Sequence, residues 1–287
     1  MQSIFNWATF ANLLPSKRKA RFGGPSASPL SGTEWRPKNI NVNSRKFHAG
    51  NDTIPVVVPA FNNITYCQNM ITQLREFDVK RIIIFDNGST YKPMQKFLNA
   101  PPKGVEVIAN TENYGPFYPI LNVICLGLLP NYFCLTDPDL EFNPEMPSSF
   151  LEDLAQITDQ FKIGKAGLAL DISERDTMLQ KKFKMATGEF TIWDWEAQFW
   201  KKPAGTTKAG DQIFKAPIDT TFAVYNKTYY RPKKYWEAVR VAGRYTCKHL
   251  TWYQDNGLPK AEEEHYRRLA TRSYYLSDNA PIADATK

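Results

Sequence analysis

Several features that identify a protein class at once are scarce in this sequence. Its 287 residues contain four cysteines, and none of them has the C-x-x-C spacing of a zinc or redox site. No stretch approaches the roughly 20 apolar residues of a membrane-spanning helix. The phosphate-loop patterns G-x-x-x-x-G-K-[ST] and G-x-G-x-x-G are absent. These absences argue against a disulfide scaffold and the common nucleotide-loop classes, and we expect buried, reduced thiols in a cytoplasmic protein.

What the chain does have is the composition of a globular protein with a basic surface. Hydrophobic residues make up 43% of it, and the net charge is +7 with a pI near 9.1. This charge favours anionic partners, namely nucleotide phosphates, an anionic membrane or nucleic acid. Because the basic residues are scattered rather than interleaved with aromatics along one run, we expect no nucleic-acid partner.

We predict three regions. Residues 1–51 form an N-terminal amphipathic segment and a Pro-, Gly- and Ser-rich linker, 52–273 form the main domain, and 274–287 form a polar tail. Apolar residues at helical spacing in residues 1–14 precede the basic cluster at 17–21. Residues 1–21 therefore fit a peripheral helix on the inner face of a membrane, although a helix packed on its own domain fits the same pattern.

The main domain alternates apolar, β-branched runs with helical spacing. Strands are predicted at 54–60, 79–85, 105–109 and 132–136, with helices at 64–77 and 118–129 between them. After Pro147 we predict a helix to Phe161 and further strands at 165–170 and 220–225. This rhythm indicates an α/β fold with a mostly parallel central sheet flanked by helices, whose ligand site lies beyond the carboxyl ends of the strands.

Polar residues close each of the first four predicted strands. They are Asn62-Asn63, Asp86-Asn87-Gly88-Ser89, Asn110 with Asn113-Tyr114-Gly115, and Asp137-Pro138-Asp139. Taken singly, the first three also fit a helix cap, an Asx-turn and a plain turn. Two carboxylates projecting to one side, as at Asp137 and Asp139, repel each other unless a cation lies between them. Such a pair predicts a divalent-metal site, with His249 as a candidate third ligand, although a polar loop turned by Pro138 fits too.

In this order the motifs resemble the nucleotide-sugar-binding half of GT-A glycosyltransferases, in particular the family-two-like group with its D-x-D motif. The resemblance covers about residues 54–142. It implies a Rossmann-like GT-A fold, with a nucleotide-sugar-binding half at 52–145 and an irregular acceptor-side half at 146–273. It also implies Mn²⁺ or Mg²⁺ as cofactor and a nucleotide-sugar, UDP-sugar by analogy, as donor.

The resemblance also implies roles for individual residues. In the donor pocket these are Pro59, Ala60, Asn62, Asp86, Asn113, Gly115 and Asp137, and at the metal they are Asp137, Asp139 and His249. Asp86 would hold the base or ribose. Separately, Asp219 is a candidate for the donor-sugar hydroxyls, with a capping role as the alternative.

The reaction expected is hexosyl transfer to a glycan or lipid-linked acceptor, as in polysaccharide biosynthesis. A divalent ion would neutralise the diphosphate leaving group. We expect an inverting, non-processive enzyme, which needs a carboxylate base for the acceptor hydroxyl. Glu196 and then Asp194 are our first candidates, because tryptophans flank them, and Asp171 and Glu174 are others. An amphipathic helix with core tryptophans fits the same segment.

Two alternatives remain at this stage. A sugar-phosphate nucleotidyltransferase would use a related sheet, but it usually opens with a Gly-rich basic loop after the first strand, which Pro59-Ala60-Phe61-Asn62 is not. A non-catalytic nucleotide-binding protein of the same fold would retain the sheet without the chemistry, and the intact Asp137/Asp139 pair weighs against it.

Overall fold

The computed structural model describes residues 54–185 and 188–269. The predicted N-terminal segment and linker, its membrane contact, and the predicted tail lie outside the described residues. Within them, no helix combines the length and the apolar character needed to cross a bilayer. The four cysteines all carry free thiols, and Cys125 is the one that is only partly buried.

The first half of the domain alternates strands and helices as expected. Its elements are β1 Val56–Ala60, α1 Ile64–Glu76, β2 Ile82–Asp86, α2 Lys92–Asn99, β3 Val105–Ala109, α3 Tyr118–Leu121, α4 Val123–Leu128 and β4 Tyr132–Leu135. The apolar runs are continuous because both faces of β1 and β2 are covered: Val56 and Val58 pack towards α1, whereas Val57 packs on the opposite side.

The second half contains more strands than the pattern revealed. Its elements are β5 Leu140–Phe142, α5 Phe150–Phe161, β6 Lys165–Leu170, β7 Phe183–Met185, β8 Gly188–Phe190, α6 Ile192–Glu196, β9 Pro203–Thr206, β10 Gln212–Lys215, β11 Ala223–Asn226, β12 Val239–His249 and α7 Lys260–Leu269. The predicted strand at 220–225 therefore begins later, and Asp219 lies in the loop before it.

Ten strands of the described chain form one sheet, in the order β3-β2-β1-β4-β11-β6-β12-β10-β9, with β5 paired to β12. Strands β1 to β4 run parallel to one another. Strand β11 runs antiparallel to both β4 and β6, and it joins this parallel half to the mixed half. The expected α/β fold is confirmed, with its parallel strands in the first half and its irregular part in the second.

One predicted element is wrong in detail. Residues 118–129 were expected to form one buried helix, but two short helices meet at Asn122, whose side chain accepts hydrogen bonds from the backbone N–H groups of Ile124 and Cys125. This cap starts a new helix in which no residue is fully buried, and Val123 is 77% exposed and Ile124 is 50% exposed.

Candidate active site and metal centre

The carboxyl end of β4 delivers two acidic side chains to the edge of the sheet. Asp137 and Asp139 follow the buried residues Leu135 and Thr136, and both are half-buried. Each can offer one oxygen, and His249 one ring nitrogen, such that the three atoms lie within 4.8 Å of one another. The structure thus brings together the three residues predicted to bind a metal.

Pairing between β5 and β12 explains why His249 is near the acidic pair. His249 lies opposite Leu140, and the Leu250 N–H donates to the Asp139 carbonyl at 2.8 Å. The ring of His249 stacks on Trp252, with centroids 4.8 Å apart and planes 3° apart. Thr251 Oγ1 lies 2.9 Å from both His249 Nδ1 and Asp139 Oδ2. The orientation of the histidine is therefore fixed by its neighbours.

Electrostatics at this edge favour a bound cation. Burial, together with the negative charges of Asp219 and Asp139, raises the pKa of Asp137 well above its usual range. Within residues 54–185 and 188–269, neither Asp137 nor Asp139 forms an ion pair with a lysine or arginine. Two carboxylates and an imidazole are a donor set that suits Mn²⁺, and Mg²⁺ also takes carboxylate oxygens. The residues present therefore fit the expected metal.

Asp86 ends β2 and is engaged by its own turn. Its carboxylate accepts hydrogen bonds from Gly88 N at 3.2 Å, Ser89 N at 3.1 Å and Ser89 Oγ at 2.5 Å. Burial raises the pKa of Asp86, and these hydrogen bonds oppose that rise. The side chain is 3% exposed. Its predicted contact with the base or ribose stays a prediction, and the Asx-turn is present.

Asn62 joins the loops that follow β1 and β2. Its backbone has a positive φ of 59°, and its Oδ1 accepts from Thr90 N at 2.7 Å and Tyr91 N at 2.8 Å. Its own N–H donates to Ser89 Oγ at 2.8 Å. The Asn62 side chain therefore supports the start of α2 rather than capping α1, and it connects the loops that follow β1 and β2.

Three buried polar atoms near these loops have no hydrogen-bond partner among the described residues. They are Asn62 Nδ2, Asn87 Oδ1 and Asn110 Oδ1. Asn87 N donates to the Ala60 carbonyl and Asn110 N to the Asp86 carbonyl, so they directly follow β2 and β3. An unsatisfied buried polar atom costs about 1–3 kcal/mol, which a polar ligand would recover. Sequence reasoning did not assign Asn87 and Asn110 to the site, although both lie at strand ends.

The other predicted donor residues lie at the same edge. Pro59 and Ala60 pair with Phe85 and Asp86 in register, so β1 and β2 end together. Gly115 has a positive φ of 84°, and its N–H donates to Asn113 Oδ1 at 2.9 Å. Asn113 itself is exposed. The predicted roles of these residues in donor binding are not tested by this arrangement.

The amino end of α1 is covered by the C-terminal helix. Glu262 of α7 accepts from Thr65 N at 2.9 Å and Thr65 Oγ1 at 2.7 Å. Tyr66 Oη also donates to the Asn256 carbonyl at 2.9 Å. The Thr65 N–H at the start of α1 therefore donates to a carboxylate almost 200 positions away in the sequence, and it is not free to bind a ligand.

The four acidic candidates for acceptor chemistry have different surroundings. Glu196 is 2% exposed and forms a buried ion pair with Arg240, while burial raises its pKa to about 7. Asp194 completes a capping box with Thr191, and hydrogen bonds from Thr191 lower its pKa. Glu174 pairs with Lys248 at 2.6 Å. The catalytic roles of Glu196 and Asp194 stay predictions.

Asp171 is the one of these four acids that forms no ion pair among the described residues. It follows β6, and its N–H donates to the Cys247 carbonyl at 2.8 Å, two residues before His249. Its Oδ1 accepts from Ser173 N at 2.9 Å, and the side chain is half-buried. The backbone of Asp171 is therefore joined to the His249 end of β12.

Comparison with known proteins decides the family. The sequence matches the glycosyl transferase family 2 model over residues 56–214, which is more than half of the chain. The chain belongs to glycosyl transferase family 2. Membership in this family makes it a glycosyltransferase, and the GT-A fold implied by the four motifs is confirmed. The family 2 match ends within β10, so it leaves out β11, β12 and with them His249.

One solved structure shows a more distant likeness. The family 2 chain resembles a crystal structure of GalNAc-T7 with UDP, GalNAc and Mn²⁺, with 9% identity and a TM-score of 0.43. The match covers 70% of this chain and 44% of that one. No curated protein matches the sequence. At this distance the likeness carries no argument about donor or acceptor.

Proposed function

We propose that this family 2 glycosyltransferase transfers a hexose from a nucleotide-sugar, a UDP-sugar by analogy with the fold, to a glycan or lipid-linked acceptor. The observation that carries the proposal is the convergence of Asp137, Asp139 and His249 beside buried asparagine groups without partners. One end of the crevice thus suits a metal-bound diphosphate, and the other suits a base and ribose.

The chemistry follows from charge. Mn²⁺ or Mg²⁺ bound by Asp137, Asp139 and His249 would neutralise the diphosphate as it leaves. The side chains of this protein supply the remaining functions. The asparagines after β1, β2 and β3 satisfy the polar edges of the nucleoside, and Asp219 lies close enough to Asp137 to affect its pKa, at a position that suits donor-sugar hydroxyls.

For an inverting reaction the acceptor hydroxyl must lose its proton to a carboxylate. Of the candidates, Asp171 fits this role best, because its side chain is accessible and no lysine or arginine pairs with it in the described chain. Glu196 was the first candidate from sequence, but its carboxylate is buried against Arg240 and does not face solvent. We assign Glu196 a supporting role, and the mutational comparison of these two acids is given below.

A hydrolysis screen tests the proposal without knowledge of the acceptor. Purified protein with Mn²⁺ is incubated with a panel of UDP-, GDP- and dTDP-sugars, and nucleotide release is measured. We expect slow release from one base class and loss of release in EDTA. Release that is undiminished in EDTA would remove the metal from the mechanism, and no release from any donor, together with no binding of the nucleotides, would contradict the proposed function.

A further inference from the structure

Two buried basic side chains, Lys165 and Arg240, donate hydrogen bonds to the backbone of the loop that precedes β11. Arg240 Nε donates to the Pro217 carbonyl at 2.8 Å. Lys165 Nζ donates to the next two carbonyls, those of Ile218 and, at 3.2 Å, Asp219. Lys165 is completely buried and Arg240 is 5% exposed. Three consecutive carbonyls, at residues 217–219, are thus fixed by side chains from the adjacent strands β6 and β12.

Burial of the Lys165 side chain has a free-energy cost. Burying an ammonium group is unfavourable, and within the described residues Lys165 forms no ion pair with a carboxylate. Arg240 is matched by Glu196 and also lies over the ring of Phe199, 4.6 Å from its centroid. Lys165 instead donates to backbone carbonyls; burial lowers its pKa to about 7, and the negative charge of Asp219 opposes that change. The chain therefore places a buried amine that donates hydrogen bonds under this loop.

The loop carries Asp219 to the metal edge. Asp219 Oδ1 accepts from Thr221 N at 3.1 Å and Thr221 Oγ1 at 2.8 Å, so the carboxylate has a fixed direction relative to its backbone. The residue is exposed, and because Ala223 of β11 pairs antiparallel with Leu135 of β4, the residues just before β11 lie beside Asp137, just after β4. Because the side chain is rigid on its backbone, any force that fixes the backbone carbonyls also fixes the carboxylate.

We propose that Lys165 and Arg240, with Glu196 holding Arg240, are positioning residues that set the place of Asp219 against the sugar of the donor. None of the three touches the substrate. The proposal rests on the proposed function, because it assigns Asp219 to the hydroxyl groups of the sugar that is bound through its diphosphate. It predicts that loss of the buried Lys165 amine weakens recognition of the sugar and leaves recognition of the nucleotide intact.

A double-mutant cycle tests this coupling. The variants are Lys165→Met, Asp219→Asn and the double variant, assayed for donor kcat/KM and for Mn²⁺-dependent binding of UDP and of the UDP-sugar found by the hydrolysis screen. We expect Lys165→Met and Asp219→Asn each to lower kcat/KM about tenfold, mainly through KM, and the double variant to lose no more than Asp219→Asn alone. Binding of UDP, which lacks the sugar, should stay within about threefold of wild type.

Lys227→Met is the matched control. Lys227 Nζ also donates to two carbonyls, those of Leu126 at 3.0 Å and Leu129 at 2.7 Å, but it lies away from the 217–219 loop. This variant should retain wild-type kcat/KM. The Lys165→Arg variant keeps a cation and should recover part of the lost activity.

Different outcomes would overturn the positioning role of Lys165 and the proposed function. Additive losses in the double variant, or equal loss of UDP and UDP-sugar binding in Lys165→Met, would show a merely structural lysine and overturn the positioning role. If Lys165→Met does not fold, Glu196→Gln repeats the cycle with Asp219→Asn, and additivity there overturns the proposal in the same way. If wild-type protein neither binds UDP with Mn²⁺ nor releases nucleotide, the proposed function fails and the positioning role falls with it.

Discussion

Two acidic regions of this molecule differ in what surrounds them. At the metal edge, Asp137 and Asp139 have each other, Asp219 and His249 as neighbours. At the edge formed by β10 and β12, Asp211 accepts hydrogen bonds from Arg244 Nη2 at 2.7 Å and from Arg244 N at 3.1 Å. The arginine lowers the pKa of Asp211 to about 2, whereas burial and like charges raise that of Asp137.

This difference indicates that Asp211 has a structural role, whereas Asp137 and Asp139 are suited to bind a ligand. Asp211 has a counter-charge within the fold, and Gly243 leaves room for it: a Cβ there would lie 2.6 Å from Asp211 Oδ1. Neither Asp137 nor Asp139 has an arginine or lysine as an ion-pair partner among the described residues, so the charge balance of this pair depends on a bound cation. The predictions below test this contrast.

The largest effect is expected at the metal edge itself. Asp139→Asn should lower donor turnover by about 1,000-fold, because the metal supplies several kcal/mol of charge stabilisation to the leaving diphosphate and about 4 kcal/mol corresponds to that factor. Steady-state donor hydrolysis with saturating Mn²⁺ measures it. Glu141→Gln, an exposed carboxylate on β5 two residues away, is the control and should behave as wild type. Equal activity of both variants would contradict the contrast.

A smaller but still large effect is expected for the acceptor base. Asp171→Asn should lower transfer to an acceptor about 100-fold or more, while donor binding is retained. Glu196→Gln keeps a hydrogen-bonding partner for Arg240 and should cost about tenfold or less. Transfer rates with a saturating acceptor are compared for the two variants. The reverse order would restore Glu196 as the base and refute the role of Asp171.

A moderate effect is expected on the nucleoside side. Asn87→Ala and Asn110→Ala each remove a buried oxygen that has no partner in the described chain, and Asn110→Ala also removes the hydrogen bond from Asn110 Nδ2 to the Asp86 carbonyl. If the nucleoside supplies the missing partner, donor KM should rise about tenfold, since one such hydrogen bond contributes about 1–1.5 kcal/mol. An unchanged KM in both variants would place the nucleoside elsewhere.

The smallest effect is expected at the paired aspartate. Asp211→Asn should lower the free energy of unfolding by about 1–2 kcal/mol and leave turnover unchanged. Because the folded pKa of about 2 lies below the ordinary 3.8, the contribution is present above about pH 4 and disappears as pH falls towards 2. Chemical denaturation between pH 2 and pH 6 should show a shallower pH dependence for the variant. A loss of turnover at full stability would make Asp211 part of the site.

Local sequence patterns were sufficient for the four strands of the first half, although they missed α2 and the break at Asn122. Strands such as 105–109 are short apolar runs bounded by turn residues, and parallel strands place their carboxyl ends at one edge, so the motifs at Asp86 and Asp137 could be expected to meet. The second half is different. Strand β12 carries Arg240, Arg244 and Lys248 within its length, and its register shifts around Gly243. Val239, Val241, Tyr245 and Cys247 do alternate with polar residues, which is a strand pattern that our sequence prediction missed.

The site shows the same limit. His249 was a candidate by residue type, but its place depends on the pairing of β12 with β5, which is a long-range event. The burial of Glu196 against Arg240 and the cover that Glu262 gives to α1 are contacts across 44 and 197 positions of chain. Such contacts are decided by packing of the whole domain, and a local pattern does not encode them.

The central claim is that Asp137, Asp139 and His249 bind a divalent cation that carries the donor diphosphate, and nucleotide binding tests it most directly. Isothermal titration of UDP is measured with Mn²⁺ and with EDTA, for wild type, His249→Ala and the Asp137→Asn/Asp139→Asn double variant. The account predicts that Mn²⁺ tightens UDP binding at least tenfold in wild type, less in His249→Ala, and not at all in the double variant. Equal UDP affinity with Mn²⁺ and with EDTA in wild type, or an undiminished Mn²⁺ effect in the double variant, would contradict it.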